Sequence, residues 1–486
     1  MARHDAREVA PAARPVPTTA KLATDWRAYH EATKHTPERL RRSARALDWA
    51  NMPNPFRHYE GVPVVDLPAD PPVPAIAAWD VLCGAGGETT AVDGAAFLSQ
   101  LFLYSAAISA TKIAPATGST YSLRVNPSSG NLHPTEFHFA TRGVSGWADG
   151  LYHYRPSQHM AEQRAVGDFG FDGSLVIILT SIAWREAWKY RDRAYRYCLL
   201  DIGHAWQAVG LAARAMGCRC TATGSFDDVA LAARLGLAGD EWPMLILTIE
   251  GGPIPLGASE PTVPTVPAGS PNRLSEHVLM PDWIPDIHAA TSLNLEPWER
   301  PDSAFTASAL GGRTFGEVAR SRRSALDFVG GSAEITMAQL LALLSVTREP
   351  LLTIYIYVHR VSGLEPGLYR HSDTLERLKS GDQRVVAAGL SLGQNLAGNA
   401  CIALSMVADL EGATARSGER GYRYAHMEAG AVGHRLYLAA EALGLRATGI
   451  GAFFDDRVRE YLDLETGQVV YHFAIGYPVH DPRLEL

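Results

Sequence analysis

Apolar and polar positions alternate in two short segments of this chain, EFHFA at 136–140 and IYIYV at 354–358, and period-two alternation reads as β-strand. Further on, apolar residues recur at three- and four-residue steps in YRYCLLDIGHAWQAVGLAARAMG from Tyr195, and again in YRYAHMEAGAVGHRLYLAAEALG from Tyr422. Each of these predicts a long amphipathic helix that stops at a glycine, Gly217 or Gly444. A short strand follows (RCTATG or RATGIG), then an FDD turn, a short helix and a last strand (MLILTIEG or VVYHFAIG). The predicted order is helix, strand, long helix, strand, helix, strand in each half of the chain. That order predicts an α+β fold, each unit a central sheet flanked by helices.

The two halves are copies. VSGWADGLYHY from Val144 pairs with VSGLEPGLYRH from Val361, and the two long-helix segments agree at Tyr-Arg-Tyr, Gly203/Gly430, Gly217/Gly444 and Gly224/Gly451. A repeat of this length changes the whole architectural reading. We expect a disordered tail over 1–23, an N-terminal arm over 24–90, repeat 1 over 91–252, a Pro-rich crossover over 253–310 and repeat 2 over 311–486.

With 47% hydrophobic and 20% charged residues, the composition is that of a globular protein. A net charge of -8 argues against nucleic acid as the main partner, because phosphate binding calls for a basic face. No apolar run is long enough to span a bilayer, and the Arg/Ala/Pro-rich start lacks the apolar core of a signal peptide. The five scattered cysteines suit buried thiols in a reducing compartment, so the cytoplasm is the expected location. No set of histidines and carboxylates has metal-ligand spacing, so no metal is expected.

Four segments are candidates for chemistry. Pro127, Ser128, Ser129, Gly130 and Asn131 lie in RVNPSSGNLHP, a rigid loop of small donors that can lie against a heterocycle or an anion. Arg322, Arg323 and Ser324 can clamp a phosphate with guanidinium forks. Gly449, Ile450 and Gly451 let backbone approach a ligand closely. Lys189 and Tyr190, in KYRDR just before Tyr-Arg-Tyr, bear on reaction type. Each also has an ordinary structural explanation: a turn, a solvated basic turn, glycine packing at a strand end, a charged turn before a helix. His204, early in the long helix, reads as a packed histidine, and His133 as lining the loop.

Taken together, the PSSGNLHP loop, the VSGL-type hairpin, the Arg-Arg-Ser and the long helix followed by GIGAFFDD resemble the nitroreductase superfamily. Within it they are most similar to SagB-type dehydrogenases, which include azoline oxidases; YHEATKH from Tyr29 resembles the arm of the longer members. The resemblance implies a nitroreductase-like fold whose two fused repeats form an intramolecular pseudo-dimer. It also implies FMN at the interface, held by Arg-Arg-Ser and the Gly-rich strand of one unit and by the Pro-Ser-Ser loop of the other. Repeat 1 keeps the loop but reads GGETTAVDGAAFLSQ where Arg-Arg-Ser belongs; repeat 2 keeps Arg-Arg-Ser but reads REPLLTIY in place of the loop. One complete site, a broken twin and one FMN per chain are therefore expected.

By the same resemblance, Arg322, Arg323, Ser324 and Arg483 serve the phosphate and ribityl end. Pro127, Ser128, Ser129, Gly130 and Asn131 contact the ring, Gly449, Ile450 and Gly451 face its N5, and Lys189 with Tyr190 serves proton transfer. The implied activity is a dehydrogenase or oxidase acting on a C–N or C–C bond, such as an azoline in a modified peptide, with pathway enzymes as partners. The alternatives are a nitro- or quinone-reductase using NAD(P)H as co-substrate, and a non-catalytic accessory subunit. Fusion implies a monomeric pseudo-dimer or a dimer of pseudo-dimers.

Overall fold

A computed structural model describes residues 25–43, 46–114, 118–258, 262–292, 296–301, 305, 311–372 and 374–484; the tail expected over 1–23 lies outside the described residues. Each repeat is built on an antiparallel sheet with the same order of central strands. In repeat 1 these run Met160–Val166, Gly150–Arg155, Thr135–Thr141, Leu175–Ser181, Trp242–Glu250, Arg219–Thr223. In repeat 2 they run Leu375–Ser380, Gly367–His371, Leu352–Val358, Ile402–Ala408, Gln468–Gly476, Arg446–Ile450. The first sheet is extended by Val64–Asp66 from the arm at one edge and by Glu299–Arg300 from the crossover at the other.

The repeats hold more elements than the hydrophobic pattern predicts. Leu175–Ser181 and Ile402–Ala408 are buried along their whole length, so neither shows alternation. The helices Ala183–Tyr190 and Leu410–Ser417, ahead of the long helices, are short and charged and give little periodic signal. Alternation does mark Thr135–Thr141, but its polar members face a buried ionic cluster instead of water. His138 Nε2 lies 2.7 Å from Glu241 Oε1, His153 Nδ1 lies 2.9 Å from Glu162 Oε2, and Arg185 Nη1 donates to Glu136 Oε1.

The expectation that the long helices are amphipathic is corrected. Ala194–Ala215 and Gly421–Ala442 are buried on every side, because the face that would meet water meets the other copy. They cross at the glycines shared by both sequences. A Cβ on Gly203 would overlap the Met427 carbonyl, and one on Gly430 would overlap the Leu200 carbonyl. The expected helix stops hold, with Gly217 at φ +84° and Gly444 at φ +72°.

The motifs Tyr-Arg-Tyr and Phe-Asp-Asp are shared because each copy clasps the other. Arg193 and Arg196 reach Asp455 at 2.9 and 2.8 Å, and Arg420 and Arg423 reach Asp228 at 3.0 and 3.1 Å. All six side chains are buried. Burial alone would raise the Asp455 carboxyl, yet the two guanidiniums hold it down to about 2. The arm helix Trp26–Ala32 seals this joint: Trp26 stacks on Tyr422 at 5.9 Å, and Tyr29 meets Tyr195 and Tyr422 edge-on at 6.1 Å each.

Candidate functional site

The loop expected from PSSGNLHP is held in an unusual shape. Gly130, Asn131 and His133 have φ of +58°, +60° and +50°, a region that side chains other than glycine's enter only at a cost. Its anchor is Asp201, on the second turn of the first long helix. Asp201 accepts from Ser128 Oγ at 2.7 Å, from Ser129 N at 3.1 Å and from Ser129 Oγ at 2.9 Å. Arg185 fixes the far end by donating to the His133 carbonyl at 2.7 Å. Burial pushes the Asp201 carboxyl up to about 7, while the seryl donors pull the other way.

Arg-Arg-Ser of repeat 2 arrives at the start of this same loop. Arg322 donates to the carbonyls of Val125 and Arg124 at 3.0 and 2.9 Å. Arg323 donates to Ser109 Oγ and O at 3.0 and 2.6 Å, on the hairpin Ile108–Ile113/Thr120–Arg124 of repeat 1. Ser324 Oγ lies 2.8 Å from Tyr437 Oη, which also accepts from Gly449 N at 2.9 Å, tying Arg-Arg-Ser to the Gly-rich strand. Arg322 and Arg323 are buried and, among the described residues, have no carboxylate partner. Burial first, then Arg322, Arg446 and Arg320, brings the Arg323 guanidinium down to about 9. Cations crowded in this way call for an anion.

Arg483 lies at the other side of the hairpin. Its carbonyl accepts from Ile113 N at 2.9 Å, and its guanidinium joins Asp481, which also takes Lys112 Nζ at 2.7 Å. Burial lowers Lys112, and Arg483 and Arg446 push it further the same way. Lys112, Arg446 and Ser109 therefore belong to the basic end although sequence reasoning did not single them out. Asp201 and Tyr437 were missed as well. One signal was present: Arg446 and Arg219 open the same strand in both copies, and Asp201 and Glu428 occupy matching helix positions.

The Gly-rich strand and the Lys-Tyr pair meet through tyrosines. A Cβ on Gly451 would overlap the Tyr197 ring, and one on Gly449 the Tyr471 hydroxyl. Tyr197 packs against Tyr190 at 4.3 Å. Tyr190 and Lys189 end the helix Ala183–Tyr190, half-buried, and face Gly130 so closely that a Cβ there would sit 2.6 Å from Tyr190 Oη and 2.9 Å from Lys189 Nζ. The pair thus lies on the intact loop. Ile450 is buried in the core of repeat 2. His204 is a packed residue, 3.0 Å from Tyr471 Oη, and burial takes it down to about 3.

The counterpart region is filled by the crossover. Trp298 stacks on Tyr424, the equivalent of Tyr197, at 4.2 Å and 10°, and its carbonyl accepts from Gly224 N at 3.1 Å. Arg300 donates to Glu428, the equivalent of Asp201, at 3.0 Å. Where Asp201 holds a loop, Glu428 holds the chain's own linker. Among the described residues no group of three or more His, Cys, Asp or Glu is placed to hold a metal, and no helix is long and apolar enough to cross a membrane.

The nitroreductase family matches residues 103–252 and 368–477, together more than half of the chain. A Methanocaldococcus jannaschii protein named as a nitroreductase is 36% identical over 117 residues, which are 24% of this chain and 59% of that protein. The chain thus spans less than two thirds of that relative's length. A solved nitroreductase-type structure from Anabaena variabilis is 27% identical with a TM-score of 0.74, covering 93% of this chain and 99% of that one, so the likeness runs through both repeats.

Proposed function

Because this chain belongs to the nitroreductase family, we propose that it is an FMN-dependent oxidoreductase of SagB type with a single composite flavin site. On this reading it is a dehydrogenase or oxidase acting on a C–N or C–C bond, such as an azoline in a modified peptide. It works in the cytoplasm as a pseudo-dimer, beside the enzymes that build its substrate. The observation that carries the reading is the docking of Arg322, from repeat 2, on the carbonyls that open the seryl loop of repeat 1. The two stretches meet there across 197 residues of sequence, and the duplicate keeps neither Arg-Arg-Ser nor the seryl loop at the equivalent places.

The residues present fit FMN. Arg322 and Arg323 lack a carboxylate counter-charge among the described residues, beside Lys112, Arg446 and Arg483; this suits a phosphate. Bound there, FMN would supply a ring that takes or gives hydride, while the protein places and polarises it. The hydroxyls of Ser128 and Ser129 donate to Asp201. Their part is therefore to shape the loop, leaving Pro127, Gly130 and Asn131 to line the ring with backbone. Gly449, Ile450 and Gly451 would offer strand backbone to the ring. Lys189 and Tyr190, which abut Gly130, would take or return a substrate proton there.

The test is to load the protein with FMN and offer an azoline-bearing peptide in air, following the mass of the product. A loss of two hydrogens supports the reading. No such loss, together with NAD(P)H-driven reduction of a nitroarene or quinone, assigns the chain to reductase chemistry. A protein that stays colourless after FMN is added refutes the flavin site and leaves the accessory role.

A further inference from the structure

Behind Lys189 and Tyr190 lie two buried carboxyl groups, Glu186 and Asp201, that are 0% and 2% exposed. They are satisfied very differently. Asp201 accepts three hydrogen bonds from Ser128 and Ser129. Glu186, one helical turn before Lys189 and Tyr190, has no hydrogen-bond partner on either oxygen among the described residues. A carboxylate buried without donors costs several kcal/mol or more, whereas the neutral acid costs far less. The geometry therefore divides the two groups: the negative charge belongs on Asp201, and a proton on Glu186.

The surroundings agree. The titratable groups facing Glu186 are Lys189 and Tyr190 from its own helix and Cys198 and Asp201 from the first long helix. Burial, then Asp201, pushes the Glu186 carboxyl well above the usual range, and Lys189 alone opposes this. On the far side of the pair, Tyr190 Oη and Lys189 Nζ abut Gly130 of the loop.

We propose that Glu186 is the proton-holding positioning residue behind Lys189 and Tyr190, a neutral acid that leaves the negative charge of the carboxyl pair on Asp201. This rests on the reading of the pair as the acid–base group of the flavin site. With the charge on Asp201, that carboxylate keeps its hold on Ser128 and Ser129, and so on the loop that Lys189 and Tyr190 abut.

The test is an infrared spectrum of the purified protein at neutral pH. A protonated-carboxyl band is expected that shifts with isotope-labelled glutamate, disappears in Glu186→Gln and persists in Asp201→Asn. Glu428, the other buried glutamate raised to about 7, is separated by Glu428→Gln. Absence of the band, or a band untouched by Glu186→Gln, overturns the proposal. If Glu186→Gln fails to fold, the labelled wild-type chain is compared with Glu428→Gln; a glutamate band that persists supports the proposal, and one that vanishes overturns it. The band needs neither substrate nor turnover. Its absence therefore leaves the flavin reading standing, and failure to bind FMN leaves the band standing.

Discussion

Asp455→Asn should unfasten one of the two clasps between the repeats. In the folded protein Asp455 is 3% exposed, with Arg193 and Arg196 at 2.9 and 2.8 Å. The carboxyl is lowered from 3.8 to about 2. At about 1.4 kcal/mol per unit, that depression corresponds to roughly 2.5 kcal/mol of stability. Because the folded value lies below the unfolded one, this stability is fully present above about pH 4 and is lost as the pH falls through about 2. Asparagine imitates the protonated acid at every pH and leaves two buried guanidiniums without their counter-charge, so the neutral-pH cost rises to about 3–5 kcal/mol. Urea unfolding followed by circular dichroism should show that gap at neutral pH and a narrowing gap towards pH 2. A variant within about 0.5 kcal/mol of wild type at neutral pH, well below the cost of breaking a buried pair, would refute the reasoning. So would a gap that does not change with acid. Asp228→Asn should behave alike at neutral pH, because Arg420 and Arg423 clasp it in the same way.

Three further outcomes are expected. Arg322→Ala should leave the chain folded but weaken FMN binding about 30- to 1,000-fold, the worth of a charge-assisted phosphate contact of about 2–4 kcal/mol, as read by fluorescence titration. Lys189→Met and Tyr190→Phe should keep the flavin yet slow turnover about 100-fold or more, the usual loss of a general acid or base, while a chain untouched by both would remove the pair from the chemistry. Gly203→Ala should destabilise by about 1–3 kcal/mol or more, since the added methyl meets backbone and not a yielding side chain; unchanged thermal unfolding would mean that the helices do not cross there.

The repeats and their shared glycines were legible in the sequence, because each depends on residue identity at a fixed place. Gly203 and Gly430 coincide in the alignment, and the structure supplies the reason in the helix crossing. The Arg of Tyr-Arg-Tyr and an Asp of Phe-Asp-Asp, Asp228 or Asp455, are present in both copies, yet their pairing runs between copies, which no pattern within one copy reveals. The same limit hid Asp201: an acid in a long helix reads as a solvated position unless the loop it holds is known to lie beside it. Apolar residues at three- and four-residue steps predict amphipathic long helices, yet both helices are buried on every side because the remaining face meets the other repeat. Leu175–Ser181 escaped notice because a strand covered on both faces has no alternation to detect. The crossover was visible only as a Pro-rich stretch. That Trp298 and Arg300 settle against Tyr424 and Glu428 is a consequence of tertiary packing alone.

The measurement closest to the central claim is native mass spectrometry of the FMN-saturated protein, counting flavins per chain in the wild type, Arg322→Ala and Trp298→Ala. The account predicts one flavin in the wild type, a flavin readily lost from Arg322→Ala, and still only one in Trp298→Ala, because clearing the linker from the second region restores neither Arg-Arg-Ser nor the seryl loop. Two flavins in the wild type, or one held undiminished without Arg322, would contradict it.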